Sequence, residues 1–442
     1  MKNMADRSLK RKFIGNTGWM MAQQIYSMIL SLIVGSLSAR YLGPSNYGLL
    51  NYGASIITFF TIISKLGLDG VIINEIVKQK NKLPSYLGSA LVARLAISVL
   101  SIGMVQSIVI FLEPDNELLH VVTLLQTFSI VFQCYEVFQY WYQVELKMKY
   151  ISIATMIALT VTAIWRITLL ATGSSVEFFA LTNSIRYLVC GFVVIIIFFA
   201  STKVKLKFSF TDLKYLLSMS HHYIVSSLAV TLYSQIDKVM IGNQIGSEAL
   251  GLYTAGSTIA CLWEFVPNAI INSARPIILE KREKNYKQYI KLLQLLFLGI
   301  SILGVIVGIG ITLLGNVGIW ILYGEEYSGA YWPLVVILWS TSFAMISTAR
   351  GIWLVAEDLN HYAKDFTIAG AIVNVILNAI LIPLIGIVGG AIATLVSQVT
   401  VCFIMPYLIK NTREFNRIYI GCFKYIPDLM RLIRNTVIAK KR

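Results

Sequence analysis

YLGPSNYGLLNYG, residues 41–53, decides how the rest of the chain reads. It is a short polar stretch that joins two long apolar runs, and it returns as IGSEALGLYTAG at 245–256. Gly43, Gly48, Leu49 and Gly53 fall on Gly246, Gly251, Leu252 and Gly256, each 203 residues later (246 − 43) in a chain of 442. One glycine pair would be noise. Three glycines and a leucine in register, each set ahead of an apolar run, mark an internal duplication. A second, weaker echo pairs GSSVEFFALTNS (173–184) with GIVGGAIATLVS (386–397) at an offset of 213 (386 − 173). Two pseudo-symmetric halves are a common construction of polytopic membrane proteins.

The totals agree. The chain is 57% hydrophobic and only 13% charged, against roughly 25% charged in a soluble domain, and its mean hydropathy is +0.71. Apolar runs close to the ~20 residues that cross a bilayer recur from end to end. Twelve can be marked: 14–38, 49–66, 87–112, 118–142, 151–172 and 178–200, then 216–236, 252–279, 290–314, 332–355, 367–385 and 390–409. The expected fold is an all-α polytopic membrane protein, with about 12 transmembrane helices in two pseudo-symmetric six-helix lobes around a central cavity. The lobes would be residues 1–205 and 206–410, followed by a basic amphipathic cytoplasmic tail at 411–442. Thr211-Asp212, just after the junction of the two expected lobes, reads as a helix N-cap.

The net charge is +15, yet nucleic acid is excluded by where the charge sits. Lysines and arginines gather in alternate loops (Lys78, Lys80, Lys82; Lys147, Lys149; Lys205, Lys207, Lys214; Lys281, Arg282, Lys284), which is the positive-inside pattern. It predicts a multi-pass protein of the plasma membrane with both termini cytoplasmic. The five cysteines show no metal-ligand spacing, and His221-His222 point about 100° apart on a helix, a poor metal pair. No cofactor is expected. An enzyme is not expected either: the outer connections are short, and no GxxxxGKS/T, HExxH or GxSxG occurs.

The informative residues are the expensive ones. Arg94, Arg166, Arg186, Arg275 and Arg350 lie within apolar runs, where a charge costs at least ~2.5–3.5 kcal/mol on insertion scales. Arg275 and Arg350 are near enough to a membrane surface to snorkel; Arg94, Arg166 and Arg186 are deeper. Each of these five shares a helical face with Ser, Thr or Asn, so the reading is a hydrated cationic cavity between the halves, with the three deep arginines lining it. Two carboxylates, Glu136 and Glu264, stand against five cations, which points to an anionic cargo. Phosphate or pyrophosphate suits the guanidinium fork. Pro267 should bend its helix, and with Gly43, Gly48, Gly246 and Gly251 it supplies candidate gating positions.

SARYLGPSNYGLLNYGASIITFFTIISKLGLDGVIINEI (38–76), QIDKVMIGNQIGSEALGLYTAGSTI (235–259) and IVNVILNAILIPLIGIVGGAIATLVSQ (372–398) carry a family resemblance. The chain resembles the Wzx-type flippases, polysaccharide transporters of the MATE-related flippase superfamily, over nearly its whole length. The resemblance implies movement of an undecaprenyl-pyrophosphate-linked oligosaccharide, an O-antigen or capsule repeat unit, from the inner to the outer leaflet of a bacterial inner membrane. It makes the five arginines this chain's version of a cationic cavity, and Glu264, Glu136, Asp69 and Asp237 its candidate coupling carboxylates. Membrane lipid and other polysaccharide-assembly membrane proteins are the implied partners. A related multidrug exporter and a peptidoglycan-precursor flippase are the alternatives. The first is opposed by the excess of cations. The second is expected to have fourteen spans.

Overall fold

The computed structural model describes residues 2–202 and 204–427. The tail expected to be amphipathic is therefore seen only to residue 427, and the side chain of His222 also lies outside the described residues. Among the described residues there are helices and no strands. In chain order they are α1 (Lys2–Lys65), α2 (Leu68–Lys78), α3 (Leu83–Leu112), α4 (Glu117–Phe132), α5 (Glu136–Val144), α6 (Met148–Thr172), α7 (Val176–Ser201), α8 (Phe210–Gln244) and α9 (Ser247–Cys261). Then follow α10 (Phe265–Lys284), α11 (Tyr286–Tyr323), α12 (Tyr331–Ala356), α13 (Tyr362–Ile385), α14 (Ile387–Val399), α15 (Met405–Leu408) and α16 (Glu414–Ile420).

Ten helical stretches among these are long and apolar enough to cross a membrane. Twelve were expected, and two features account for the difference. The first stretch, Gly15–Lys78, contains both of the first two expected spans. It is broken at Gly43, where φ is 70° and ψ 168°, a region open essentially to glycine alone. Pro44, with its fixed φ and missing N–H, then starts the next helical segment. The expected seventh span lies in α8, which is helical but outside the ten. The surface of these helices is apolar: Phe111 is 84% exposed and Leu313 75%. Side chains of that kind on so many helices need a hydrocarbon solvent, not water.

By their contacts the residues fall into two compact units, Met1–Gly251 with Leu322–Glu326, and Leu252–Ile321 with Tyr327–Arg442. In the first, α6 packs on α7 and α1, α4 packs on α7 and α3, and α8 lies against α1, α2 and α3. Its core centres on aromatic rings of α5 and α7, with Phe138 4.7 Å and Trp141 5.6 Å from Phe198 between centroids. In the second, α14 packs on α12 and α13. There Phe415 sits 5.5 Å from Phe297 and 6.1 Å from Trp353.

The connection before α8 is tied down rather than loose. Lys207 N–H donates to the Pro84 carbonyl (3.0 Å), and Ser209 N–H donates to the Ser89 hydroxyl (2.9 Å). The cap of α8 is Ser209, not the expected Thr211-Asp212: its Oγ accepts from the Asp212 N–H at 3.2 Å. That frees the Asp212 carboxylate to accept from Ser85 Oγ and from Lys82 Nζ (3.0 Å) at the start of α3.

These donors hold the Asp212 carboxyl below its ordinary value of 3.8, Ser85 contributing most. A lowered folded pKa means that the tie is present above the ordinary value and is lost as pH falls through the folded one. Trypsin cleavage at Lys205 and Lys207, divided by the cleavage of an unfolded peptide at the same pH, should therefore stay low from neutral pH down to about pH 4. The Asp212→Asn variant should be cut faster at pH 7. Equal rates for the two proteins would mean that the connection is held by its backbone bonds alone.

Candidate functional site

The five arginines meet very different fates. Arg166 on α6 and Arg186 on α7 share a cavity of about 60 Å3 with Thr162, Asn183 and, from α1, Ser31. That is room for about two waters. Thr162 and Asn183 lie one turn before Arg166 and Arg186 respectively, so each arginine shares a face with a polar neighbour. The lining contains no carboxylate. Arg166 Nε is buried without a hydrogen-bond partner, and its guanidinium is near enough to Arg186 to be repelled by it. Arg186 lies over the Tyr187 ring at 5.2 Å. Two cations facing one polar cavity with an unused donor form an anion-binding arrangement.

Arg94 does not join them. It is 0% exposed and spends its guanidinium on Glu136 (Nη2 to Oε2, 3.1 Å), on the Tyr140 hydroxyl (3.3 Å) and on the Gln133 carbonyl (3.4 Å). Glu136 also holds Lys65 at 3.1 Å, and Tyr140 donates to Asp69. Arg94, expected to line the cargo cavity, and two of the expected coupling carboxylates instead form a single network inside the first unit. Its fifth member, Lys65, is missing from the sequence reading. The signal was present in a lysine four residues before Asp69, at the end of an apolar run.

Arg350 is buried too, and it is bound to backbone. Its Nη1 donates to the carbonyls of Val401 (2.6 Å) and Cys402 (3.0 Å). Both carbonyls lie in the π-helical turn Thr400–Ile404 that interrupts the last span. A π turn misaligns carbonyls from the regular ladder, and the guanidinium takes them up. The rings of Phe366 and Phe415 cover it at 4.6 and 5.4 Å. Snorkelling is therefore not what Arg350 does. Arg275 is exposed.

Glu264 is half-buried on the 3-10 turn Leu262–Glu264, with its carboxylate beside Cys261. Pro267 follows at the third residue of α10, and its missing N–H fits the break in helix that separates α9 from α10. Asp237 is buried, and its carboxylate accepts from the Lys238 N–H at 2.8 Å. His221 is exposed and pairs with the Ser218 carbonyl at 2.8 Å. No group of three or more metal-ligating side chains occurs among the described residues.

The duplicated turns meet each other. A Cβ on Gly48 would stand 1.6 Å from the Ser247 carbonyl oxygen, and one on Gly251 2.0 Å from that of Pro44. The hydroxyls of Ser45 and Ser247 are 3.4 Å apart. Only glycine permits this backbone approach. Gly246, at φ 109°, makes the turn ahead of α9.

The family model described as "Polysaccharide biosynthesis protein" matches residues 13–282. The chain is similar to a "Putative O-antigen transporter" of Escherichia coli (strain K12), 20% identical over 414 residues that cover 92% of this chain and 98% of the relative. It is 28% identical over 198 residues to a "Probable low-salt glycan biosynthesis flippase" of Haloferax volcanii, covering 45% of this chain and 42% of that one. Among solved structures, the lipid II flippase MurJ in an inward closed conformation superposes with a TM-score of 0.71 at 16% identity, covering 91% of this chain and 90% of its own. An inward-facing multidrug resistance MATE family transporter superposes with a TM-score of 0.72 at 13% identity, over 90% of this chain and 96% of its own. At these identities the superpositions establish the fold alone.

Two outcomes follow from the geometry. Arg94→Met should destabilise the protein by about 1–3 kcal/mol, since it removes one of the two cations on Glu136 and the donor to the Gln133 carbonyl and Tyr140 hydroxyl. Arg94→Met with Glu136→Gln should cost less than the sum of the two single changes, because each single change already breaks the Arg94–Glu136 pair. Additive losses in thermal unfolding would remove the pairing. Cysteines at Ser45 and Ser247 should cross-link under mild oxidation, and Gly48→Val or Gly251→Val should lower the amount of folded protein in the membrane. An absence of cross-link would mean that the turns do not meet in the membrane.

Proposed function

The chain belongs to the polysaccharide biosynthesis protein family, and on that premise we propose that it is a flippase for a polyprenyl-pyrophosphate-linked oligosaccharide. The unit would travel from the inner to the outer leaflet of a bacterial plasma membrane by alternating access, with both chain termini in the cytoplasm. The observation that carries the reading is the carboxylate-free cavity of Arg166 and Arg186.

The physical problem is the pyrophosphate. The polyprenyl tail is at home in hydrocarbon and the sugars need a hydrated path, but the phosphates keep their charge across ~30 Å of bilayer core. Fixed cations along the route compensate that charge, and bidentate guanidinium contacts hold phosphate without a metal. Arg166 and Arg186 are suited to this because no carboxylate is among the described residues that line their cavity. Arg94 and Arg350 hold the helices that position the path. The two-lobe division at residues 205/206 belongs to the same proposal, as does the role of the glycine turns, whose parting would open one end of the route.

A multidrug exporter with cationic cargo would need the opposite charge in this cavity. A peptidoglycan-precursor flippase would present the same pyrophosphate, so the glycan has to be identified by export itself.

In a deletion strain complemented with the variant, Arg166→Ala and Arg186→Ala should each reduce surface glycan several-fold at unchanged protein level. Lysine at either position should restore part of it, because charge returns without the fork. Arg94→Ala should instead lower the protein level. The measurement is surface glycan divided by membrane-inserted protein. Wild-type export from the double alanine variant would exclude these residues as the phosphate carriers.

A further inference from the structure

A second cationic cavity lies in the other unit, at the end of the last apolar helix. It measures about 500 Å3 and is lined by Gln294, Lys410, Arg413, Glu414, Arg417 and Ile418. It is built, not a chance gathering of surface lysines. The short helix α16 is anchored by Phe415 (0% exposed) and Ile418, which pack into the unit's aromatic core. That fixes Arg413 and Arg417, one turn apart, on one wall. Arg413 is further held by its Nε bond to the Tyr407 carbonyl (2.7 Å) and lies over the Tyr407 ring at 5.6 Å. Its terminal nitrogens are thereby positioned.

Three cations face one carboxylate, and Glu414 accepts from the Tyr286 hydroxyl at 3.3 Å. Gln294, 5% exposed, donates to the Ile418 carbonyl (3.2 Å) and keeps its Oε1 buried without a partner. A ligand that combines an anion with a hydrogen-bond donor would satisfy both halves of this lining. The surroundings indicate which kind. The last apolar stretch ends at Leu408, and Tyr407, Leu408 and Ile420 are about 60% exposed or more beside the cations (62, 59 and 67%). Apolar side chains and arginines exposed together mark the level of lipid headgroups.

We propose that this cavity binds the headgroup of an anionic phospholipid. The phosphodiester would sit against Lys410, Arg413 and Arg417, and a headgroup hydroxyl would reach Gln294 Oε1. The site lies in a different unit from Arg166 and Arg186, so it is independent of the cargo reading.

The test uses the full chain purified in detergent, with phosphatidylglycerol or phosphatidylcholine added and bound lipid counted by native mass spectrometry. Phosphatidylglycerol should be retained and phosphatidylcholine not. Each juxtamembrane cation is worth about fivefold in attraction to anionic lipid. Lys410→Gln with Arg413→Gln and Arg417→Gln should therefore weaken retention about a hundredfold. Lys281→Gln with Lys284→Gln, two other cations at the end of α10, should leave it unchanged. If the triple variant unfolds, Arg417→Gln alone should show about a fivefold loss. The proposal is overturned by wild-type retention in the triple or single variant, or by equal retention of phosphatidylcholine. Displacement by millimolar inorganic phosphate would also overturn it, assigning the cavity to a free anion.

Discussion

A guanidinium keeps its proton at any pH a protein meets, so an arginine inside an apolar run cannot neutralise itself as a buried lysine or glutamate can. It must be given partners or water. The interior of this protein is arranged around that constraint. Arg94 takes the ionic solution, with Glu136, Tyr140 and a carbonyl around it and Lys65 balancing the same carboxylate. Arg350 takes the backbone solution, in which a π turn in the last span offers two carbonyls and two rings cover the cation. Buried ion pairs contribute little net stability but punish the loss of either partner. Networks of this sort fix how helices are rotated and seated against one another more than they strengthen the fold.

The backbone obeys a related rule. In hydrocarbon each N–H and C=O needs an internal partner, so departures from regular helix occur where something takes up the freed groups. The π turn has Arg350. The break at Gly43 passes directly into a helix begun by Pro44, which has no N–H to satisfy. The start of α8 is capped by Ser209, and its incoming strand of chain is bonded to α3. Glycine enters where two backbones must touch, as at Gly48 and Gly251, whose missing side chains let the duplicated turns approach to contact distance.

The sequence was legible where a signal is local or periodic. Apolar length located most of the spans, although the run expected at 290–314 stops nine residues (323 − 314) short of the end of α11 (Tyr286–Tyr323) and the one at 216–236 eight (244 − 236) short of the end of α8 (Phe210–Gln244). The 203-residue echo singled out two turns that proved to meet. Burial was readable for Arg94, but not for Arg350, which was expected near enough to a surface to snorkel and is instead 4% exposed. What could not be read is partnership. Arg94 and Glu136 are 42 residues apart on different helices, and one sequence does not say how those helices are rotated toward each other. Polar neighbours on Arg94's own helix suggested water, while the real partners came from α5. The π turn was hidden for another reason: TVCFI has no composition that separates it from ordinary apolar helix. Thr211-Asp212 reads as a cap because both side chains can accept from a first-turn N–H, and only the fold shows that the Asp212 carboxylate is bonded to Lys82 and Ser85 while Ser209 does the capping.

The contrast among the arginines bears on the proposed transport. A carboxylate beside Arg166 and Arg186 would neutralise the cavity, as Glu136 neutralises Arg94, and would have to be displaced whenever an anion entered. Leaving the pair uncompensated stores repulsion between two cations and strands the donor at Arg166 Nε. On the proposed reading, a phosphate brought to this pair would relieve both at once. The same arrangement limits affinity, because two guanidiniums with access to water hold an anion far less tightly than a closed, fully bonded cage. For a cargo that must be taken up on one side of a bilayer and released on the other, an anion site has to be incomplete in this way.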